Sequence, residues 1–260
     1  MTDFDPKNSH LRESTKDYFY KTADLLHDKL PGLTANQLTI GRAIASIGAS
    51  EAIVRATTSR DKLVACIGYT AFELLDGVDG HLANIRAEEH NVPTNLRGNL
   101  YDTLSDKTVE TYDCFRAANR SIHNGDKIGA TINVLAGVTS SMPALFRAKA
   151  EANNLVVKEN GLGTRPVRSG LIGLNLAFGG NKNVSRVLGA SVLVMNVHTA
   201  TGRYLATINK GSKNLLGPLD NEKKQLEAKL RYPALAVFSI ASIGVGIGIM
   251  RNTRNINNLS

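Results

Sequence analysis

The stretch FELLDGVDGHLAN, residues 72–84, and the stretch GNLYDTLSDK, residues 98–107, decide the fold that this sequence predicts. Both are typical of helices, and together they carry four aspartates at helical intervals: Asp76, Asp79, Asp102 and Asp106. Because the first two are three positions apart and the last two are four apart, each pair lies on one face of its own helix. Two such helices packed side by side would bring four carboxylates together, an arrangement that is stable only if cations neutralise them.

The cations expected at such a site are divalent and bind oxygen. Carboxylates in this number suit Mg²⁺, Mn²⁺ or Ca²⁺, and two ions fit the four groups. The run DGVDG lacks the alternating oxygen ligands and the terminal Glu of an EF-hand loop, so a calcium site of that kind is a poor match. Gly77, Gly80 and Gly98 stand beside the aspartates, where the missing side chains let a ligand or another helix approach the backbone.

The aspartates belong to a longer motif. In order and spacing, seven residues resemble the signature of the CDP-alcohol phosphatidyltransferases, Asp-x2-Asp-Gly-x2-Ala-Arg-x8-Gly-x3-Asp-x3-Asp: Asp76, Asp79, Gly80, Ala83, Gly98, Asp102 and Asp106. ANQLTIGR, residues 35–42, is similar to the Asn-x-Leu-Thr-x-x-Arg run that opens the family's first membrane helix. GLGTRPVR, residues 161–168, is similar to the Arg-Pro-x-Arg loop of members whose acceptor carries a phosphate. The resemblance covers about residues 30–210.

The resemblance implies an enzyme that moves a phosphatidyl group from a CDP-diacylglycerol-type lipid to an alcohol and releases CMP. It implies Mg²⁺ or Mn²⁺, with two ions expected, held by Asp76, Asp79, Asp102 and Asp106. Asp106 is also the expected general base. The nucleotide end of the site is expected to involve Asn36, Thr39, Gly80, Ala83, Asn84 and Gly98. Asn36 and Thr39 have an alternative role, which is to cap the first helix of the motif.

The acceptor is the least determined part of the prediction. Arg165 and Arg168 in TRPVR match a phosphomonoester better than a neutral alcohol, so glycerol 3-phosphate or inositol phosphate is expected. Ordinary loop charge beside lipid headgroups is the alternative for both arginines. Glu73, one turn before the motif, either supports the ligands from behind or only faces the bundle.

Two departures from the signature weaken the prediction of activity. Asn84 stands where the signature has Arg, and 13 residues separate Asn84 from Gly98 in place of about eight. The diphosphate contact of the missing arginine would have to come from Arg86 or Arg97. A non-catalytic helical membrane protein that retains metal and nucleotide binding is therefore the alternative hypothesis.

The sequence pattern favours an all-α fold, but hydropathy alone does not decide between a membrane protein and a soluble one. Strand patterns are sparse, and two uncharged runs of 19 residues reach the length of a membrane span, residues 128–146 and 232–250. Other apolar stretches contain charges, and the mean hydropathy of −0.14 would also suit a soluble nucleotide-binding bundle. With the family's spans laid on the chain, most Lys and Arg fall on the cytoplasmic side. The prediction is a multi-pass membrane bundle of about six helices whose active site faces the cytoplasm.

The predicted organisation has three parts. Residues 1–30 form an amphipathic helical segment, residues 31–210 the membrane domain, and residues 211–260 a linker with an additional apolar helix. The net charge of +8 indicates an anionic partner, while 5% aromatic residues and the absence of Trp argue against nucleic acid. The expected partners are thus a CDP-lipid, a polyol phosphate and the bilayer, and a homodimer is left open.

Overall fold

The structure of the chain is a computed structural model that describes residues 10–89, 98–152, 165–208, 229, 231–247 and 249. All regular elements in these ranges are α-helices, which confirms the all-α prediction. In chain order they are α1 (His10–Lys29), α2 (Ala35–Arg55), α3 (Ser59–Leu74), α4 (Asp76–Glu89), α5 (Gly98–His123), α6 (Lys127–Thr139), α7 (Met142–Ala152), α8 (Arg165–Phe178), α9 (Lys182–Ile208) and α10 (Arg231–Ile247).

Helix α2 begins at a capping box. The Thr34 hydroxyl accepts a hydrogen bond from the Gln37 amide at 3.2 Å, and the Gln37 side chain accepts one from the Thr34 amide at 2.9 Å. This reciprocal pair satisfies amide groups that the first turn of a helix cannot pair internally. The cap of α2 is therefore Thr34, and both Asn36 and Thr39 lie inside the helix.

Helices α3 and α4 follow one another with a one-residue break at Leu75. The amides of Val78 and Asp79 donate to the Leu75 carbonyl at 3.0 and 3.4 Å, and these bonds start α4. Asp76 is consequently the first residue of α4, so Asp76 and Asp79 share its first turn.

The largest core lies where α2, α3, α5, α6, α8 and α9 meet. Its members are mostly small or aliphatic, which lets the helices approach closely. They are Ala49, Ile53, Tyr69, Cys114, Ala117, Ala136, Ile172, Leu176, Ala177 and Val192. Helices α2, α5 and α8 thereby bring their N-terminal halves to one end of the bundle, beside α4.

Polar groups in the bundle interior contrast with apolar groups on its surface. Asn133 and Asn196 are buried, and Asn133 accepts a hydrogen bond from Asn175 at 2.8 Å. Large apolar side chains project outward from α3, α9 and α10, among them Leu63, Val64, Ile67, Val187, Val194, Val237 and Ile240. In water such a surface is unfavourable, whereas in lipid it is the expected one.

By length and composition, one helical stretch of the described residues is long and apolar enough to cross a membrane. It is Lys127–Ala152, which comprises α6 and α7 and contains the predicted run of residues 128–146. Arg231–Ile247, which overlaps most of the second predicted run, is apolar but shorter. By length and apolar composition, the described helices thus include fewer candidate spans than the roughly six predicted.

Several predictions fall on residues outside the described ranges. Arg97 and most of its loop are among them, as is the loop that precedes Arg165. The linker predicted after residue 210 also lies almost wholly outside.

Asp126 joins three elements at the turn between α5 and α6. Its carboxylate caps α6 by accepting from the Gly129 amide at 3.0 Å, and it accepts from Nε and Nη2 of Arg186 on α9 at 3.0 and 2.7 Å. The Arg186 hydrogen bonds, helped by the Gly129 amide, hold the pKa of Asp126 below its usual range. The carboxylate is thus stabilised in its charged form.

Replacing Asp126 by Ala is expected to destabilise the bundle without altering the site described below. Loss of the cap alone costs about 1 kcal/mol. Because the folded-state pKa is lowered, this stabilisation is present above the ordinary aspartate pKa and is lost as the pH falls below about 4. Thermal unfolding in detergent measures both effects. The matched control is Asp17→Ala, because Asp17 is exposed. Equal unfolding temperatures for both variants at neutral pH would contradict the assignment.

Candidate metal and nucleotide site

The predicted site residues converge at the end of the bundle where α2, α4, α5 and α8 begin. Asp76 and Asp79 come from the first turn of α4, and Asp102 and Asp106 come from the first turns of α5. Within the described ranges, Asp76, Asp79 and Asp102 each offer an oxygen, and these oxygens lie within 4.8 Å of one another. The convergence of carboxylates from two helices, predicted from spacing, is therefore observed.

The carboxylate cluster has the properties of a cation site. Asp79 is buried, and the Oδ1 atoms of Asp76 and Asp102 are buried without accepting a hydrogen bond, although Oδ1 of Asp76 lies 3.0 Å from Nη2 of Arg42. Buried carboxylate oxygens normally have partners, and oxygens of this kind are the ligands that Mg²⁺ and Mn²⁺ prefer. The residues present thus fit the divalent cation that the sequence predicts.

Thr39 contacts this cluster from α2. Its hydroxyl donates to Oδ2 of Asp79 at 2.5 Å and also to the Ala35 carbonyl at 3.1 Å. A carboxylate that accepts such a bond loses rotational freedom. Thr39 therefore orients Asp79, a role that was not foreseen for it.

Asp106 shares its two arginine partners with Asp76. Its Oδ1 accepts from Arg42 at 2.6 Å and lies 2.8 Å from Nη2 of Arg165. The two guanidinium groups hold this carboxylate at the edge of the cluster. Asp106 is consequently both buried and close to the oxygens of Asp76 and Asp102, which share its Arg42 partner.

Arg42 is the residue that sequence reasoning missed. It is 2% exposed, and its Nη2 lies 3.0 Å from Asp76, 3.7 Å from Asp102 and 2.6 Å from Asp106. A planar guanidinium suits such a shared contact better than an ammonium does. The signal was available, since Arg42 ends the ANQLTIGR motif and lies three residues after Thr39, on the same helix face.

Arg165 reaches the same cluster from the first turn of α8. It contacts Asp76 through Nη1, and its Nη2 lies 3.4 Å from Glu73 and 2.8 Å from Asp106. Glu73 also accepts from Ser46 at 3.3 Å. Glu73 therefore supports the cluster from behind, which decides between its two alternatives.

The charges of the cluster are unbalanced. Among the described residues, two guanidinium groups, those of Arg42 and Arg165, face five carboxylates: Glu73, Asp76, Asp79, Asp102 and Asp106. If all are ionised, three negative charges remain uncompensated in a partly buried site, which is strongly unfavourable without further cations. The excess of negative charge and the buried carboxylate oxygens both indicate that this cluster binds a cation.

Arg168 lies apart from Arg165, although the two were predicted together. Its guanidinium pairs with Glu110 at 3.1 Å, and Glu110 also pairs with Lys107 at 2.5 Å. All three side chains are buried, and Lys107 directly follows Asp106. This ion triad ties α5 to α8 immediately behind the site.

The six residues predicted for the nucleotide end lie on α2, on α4 and at the first position of α5. Asn36 lies beside Gly98, where an added Cβ would be 3.7 Å from Oδ1 of Asn36. Gly80 is exposed and has open space around its Cα, Ala83 is half-buried, and Asn84 is exposed. Arg86 donates to the Leu30 carbonyl at 3.4 Å and pairs with Glu89, so its contacts are with the N-terminal segment and with the end of its own helix.

The fold is shared with a known enzyme. Over 76% of this chain and 98% of the other, the structure is similar to that of Mycobacterium tuberculosis phosphatidylinositol phosphate synthase crystallised with CDP-DAG bound, with a TM-score of 0.58 and 22% sequence identity. Neither a family model nor a curated protein sequence matches the chain. The resemblance to the CDP-alcohol phosphatidyltransferases is therefore confirmed at the level of the fold.

Proposed function

We propose that this chain is a CDP-alcohol phosphatidyltransferase, which moves a phosphatidyl group from a CDP-diacylglycerol-type lipid to an alcohol and releases CMP. The observation that supports this most is the convergence of buried carboxylate oxygens of Asp76, Asp79 and Asp102, with Asp106 beside them. The shared fold with an enzyme crystallised with CDP-DAG supports the same substrate class.

The proposed cofactor is Mg²⁺ or Mn²⁺, with two ions expected on the four aspartates. When bound, the metal neutralises the diphosphate and the charge that develops on the departing CMP. Arg42 and Thr39 orient the ligand carboxylates, as their contacts with Asp76 and Asp79 indicate. The residues proposed for the nucleotide end are Asn36, Thr39, Gly80, Ala83, Asn84 and Gly98.

Asp106 is proposed as the general base. It accepts the proton of the acceptor hydroxyl while that oxygen bonds to the phosphorus carrying the diacylglycerol group. The bond from this phosphorus to the bridging oxygen breaks, and the oxygen leaves as part of CMP. Arg42 and Arg165, at 2.6 and 2.8 Å, hold the carboxylate of Asp106 in one orientation.

The proposed acceptor is a polyol phosphate, with glycerol 3-phosphate and inositol phosphate as the leading candidates. Arg165 contacts Asp106, so a phosphate held there would lie near the proposed base. Arg168 supports the position of Arg165 from behind, because its pair with Glu110 fixes the first turn of α8 against α5. The guanidinium of Arg165 would then meet the phosphomonoester directly, while Arg168 stays paired with Glu110 behind it.

Changing Arg165 or Arg168 to Ala is expected to raise the KM for the acceptor about 10-fold or more while changing the KM for CDP-lipid little. For Arg165 the reason is the loss of a charge-assisted hydrogen bond to the acceptor, which contributes about 1.5–3 kcal/mol. For Arg168 the reason is the loss of the pair with Glu110 that positions the first turn of α8, and both changes lie away from the nucleotide. Steady-state kinetics with varied acceptor measures this, with exposed Arg55 replaced by Ala as control. A preference of the unaltered enzyme for free inositol or serine, or unchanged acceptor kinetics in both variants, would refute the acceptor assignment.

We further propose that the chain is a multi-pass membrane protein with its site facing the cytoplasm. The apolar outer faces of α3, α9 and α10 and the polar bundle interior support this. Residues 31–210 would form the catalytic membrane domain, preceded by the segment 1–30 and followed by the segment 211–260. Recovery of the protein in the supernatant without detergent would instead favour a soluble bundle.

The decisive test is CMP release from CDP-diacylglycerol by the purified protein in detergent with Mg²⁺. Parallel reactions contain glycerol 3-phosphate, inositol phosphate, free inositol or serine, and a reaction without acceptor serves as control. The proposal expects CMP and a new phospholipid with one of the phosphorylated acceptors. No CMP with any acceptor would refute it.

One observation favours a second candidate function. Asn84 is exposed on α4 where the signature has Arg, and Arg86 contacts the Leu30 carbonyl. A protein lacking the diphosphate contact could bind metal and nucleotide without transfer. Binding of CMP with Mn²⁺ together with no turnover would identify this non-catalytic alternative.

A further inference from the structure

Helix α1 packs along α4, the helix that carries two of the proposed metal ligands. Ala23 of α1 and both Val78 and Leu82 of α4 are fully buried in a second hydrophobic cluster, separate from the main core. Phe19 and Leu26 of α1 pack against this cluster. The position of α4 therefore depends on α1 as well as on the bundle.

Phe19 makes the closest of these contacts, with Gly77. A Cβ placed on Gly77 would lie 2.6 Å from Cδ2 and 2.7 Å from Cε2 of the Phe19 ring. Real Cβ atoms do not approach so closely, so the ring is seated directly on the backbone of Gly77. Gly77 lies between Asp76 and Asp79 in sequence and is needed there for this contact.

Gly77 is on the side of α4 away from the carboxylates. At about 100° per residue, it is rotated about 100° from Asp76 and about 160° from Asp79. The ring thus presses on the back of the turn and does not touch the ligand oxygens. Any effect of Phe19 on a bound cation would act through the position of the turn.

On that side, the first turn of α4 is held by the ring on Gly77 and by Val78, which is fully buried in the second hydrophobic cluster. Its backbone starts after the break at Leu75, with the Val78 and Asp79 amides bonded to the Leu75 carbonyl. Further along, Tyr20 stacks on His81 at 4.0 Å between ring centroids, and His27 lies 2.8 Å from Glu89. These contacts fix the rest of α1 on α4, while Phe19 contacts the ligand turn itself, at Gly77.

We infer that Phe19 is a positioning residue for the metal ligands: its ring on Gly77 holds the first turn of α4 so that Asp76 and Asp79 meet Asp102. This inference rests on the proposed function, because it adds a residue of α1 to the machinery of the same site. It assigns to the N-terminal helix a role in cation binding as well as its packing role.

The test uses the full chain in detergent and four variants: Phe19→Ala, Phe19→Leu, Gly77→Ala and the double variant Phe19→Ala/Gly77→Ala. Tyr18→Ala is the matched control, because Tyr18 is the neighbouring aromatic residue and is 59% exposed. Mn²⁺ affinity is measured by titration. Amide hydrogen exchange across residues 76–80 is measured without added metal and reports the stability of the turn.

Phe19→Ala and Gly77→Ala are each expected to weaken Mn²⁺ binding about 10-fold. This is the lower end of the range of about 10- to 100-fold that loss of a contact supporting a metal ligand typically causes. Phe19→Leu should retain affinity within about 3-fold, because leucine still covers Gly77. The double variant should bind no more weakly than either single variant, because both remove the same contact and the added methyl fills the space left by the ring. Phe19→Ala should also speed exchange at residues 76–80, whereas Tyr18→Ala should change nothing.

Wild-type Mn²⁺ affinity in Phe19→Ala, additive losses in the double variant, or unchanged exchange at residues 76–80 would overturn the inference. CMP release is followed separately on the unaltered protein. If that protein binds Mn²⁺ but releases no CMP, the proposed function fails while the comparison of variants still decides the role of Phe19.

Discussion

Activity should disappear when divalent cations are chelated, and Asp76→Asn, Asp79→Asn or Asp102→Asn should each reduce turnover at least about 100-fold. Each variant removes one of the three oxygens that lie within 4.8 Å of one another, so fewer ligands remain for the cation that stabilises the leaving CMP. Mn²⁺ affinity, measured directly, should fall in step with activity. Excess Mg²⁺ should restore part of the activity if weakened binding is the cause.

Asp17→Asn is the matched control, because it removes an exposed carboxylate of α1 outside the cluster. It should leave both metal affinity and turnover unchanged. If all three cluster variants retained activity, or if chelation had no effect, the metal site would be refuted. Loss of activity with unchanged Mn²⁺ affinity would show that these aspartates act in some other way.

Asp106→Asn should lower kcat by about 100- to 10 000-fold while CDP-lipid still binds within a few-fold of its normal affinity. The amide retains the shape of the side chain and an oxygen for Arg42 and Arg165, but it cannot accept the proton of the acceptor hydroxyl. A base acts in the transition state more than in the ground state, so kcat changes and substrate binding does not.

The comparison with Asp102→Asn separates the two roles. Asp102 belongs to the trio of cluster oxygens, whereas Asp106 faces the two guanidinium groups. Asp102→Asn should therefore weaken Mn²⁺ binding more than Asp106→Asn does, and Asp106→Asn should lower turnover by more than its loss of Mn²⁺ binding explains. If CDP-lipid binding and turnover fell together in Asp106→Asn, Asp106 would be a plain ligand and the base would lie elsewhere.

Several features of the site could be predicted from local pattern alone. The three- and four-residue spacings of the aspartates determine that each pair shares a helix face, and the helices occur where the pattern predicts them. The start of α2 was also readable, because Thr34 and Gln37 form the spacing of a capping box before an apolar run. The predicted caps were instead Asn36 and Thr39, so the capping box at Thr34 was missed.

Other features required the folded chain. Arg165 and Arg168 are three residues apart, yet one pairs with Asp76 and Asp106 and the other with Glu110. The predicted shared role overlooked Glu110, which lies 58 residues earlier in the chain. The pairing of Arg42 with Asp106 spans 64 residues and had no local signal for its partner.

The sequence by itself determined which residues share a face, where helices begin, and that four carboxylates need positive charge. Only the tertiary structure decided that Arg42 and Arg165 supply part of this charge, that Asp106 stands apart from the other three, and that Phe19 covers Gly77. The physical reason is that helical periodicity is a local property set by backbone hydrogen bonds. The rotation and approach of two helices depend instead on the packing of many side chains that are distant in sequence.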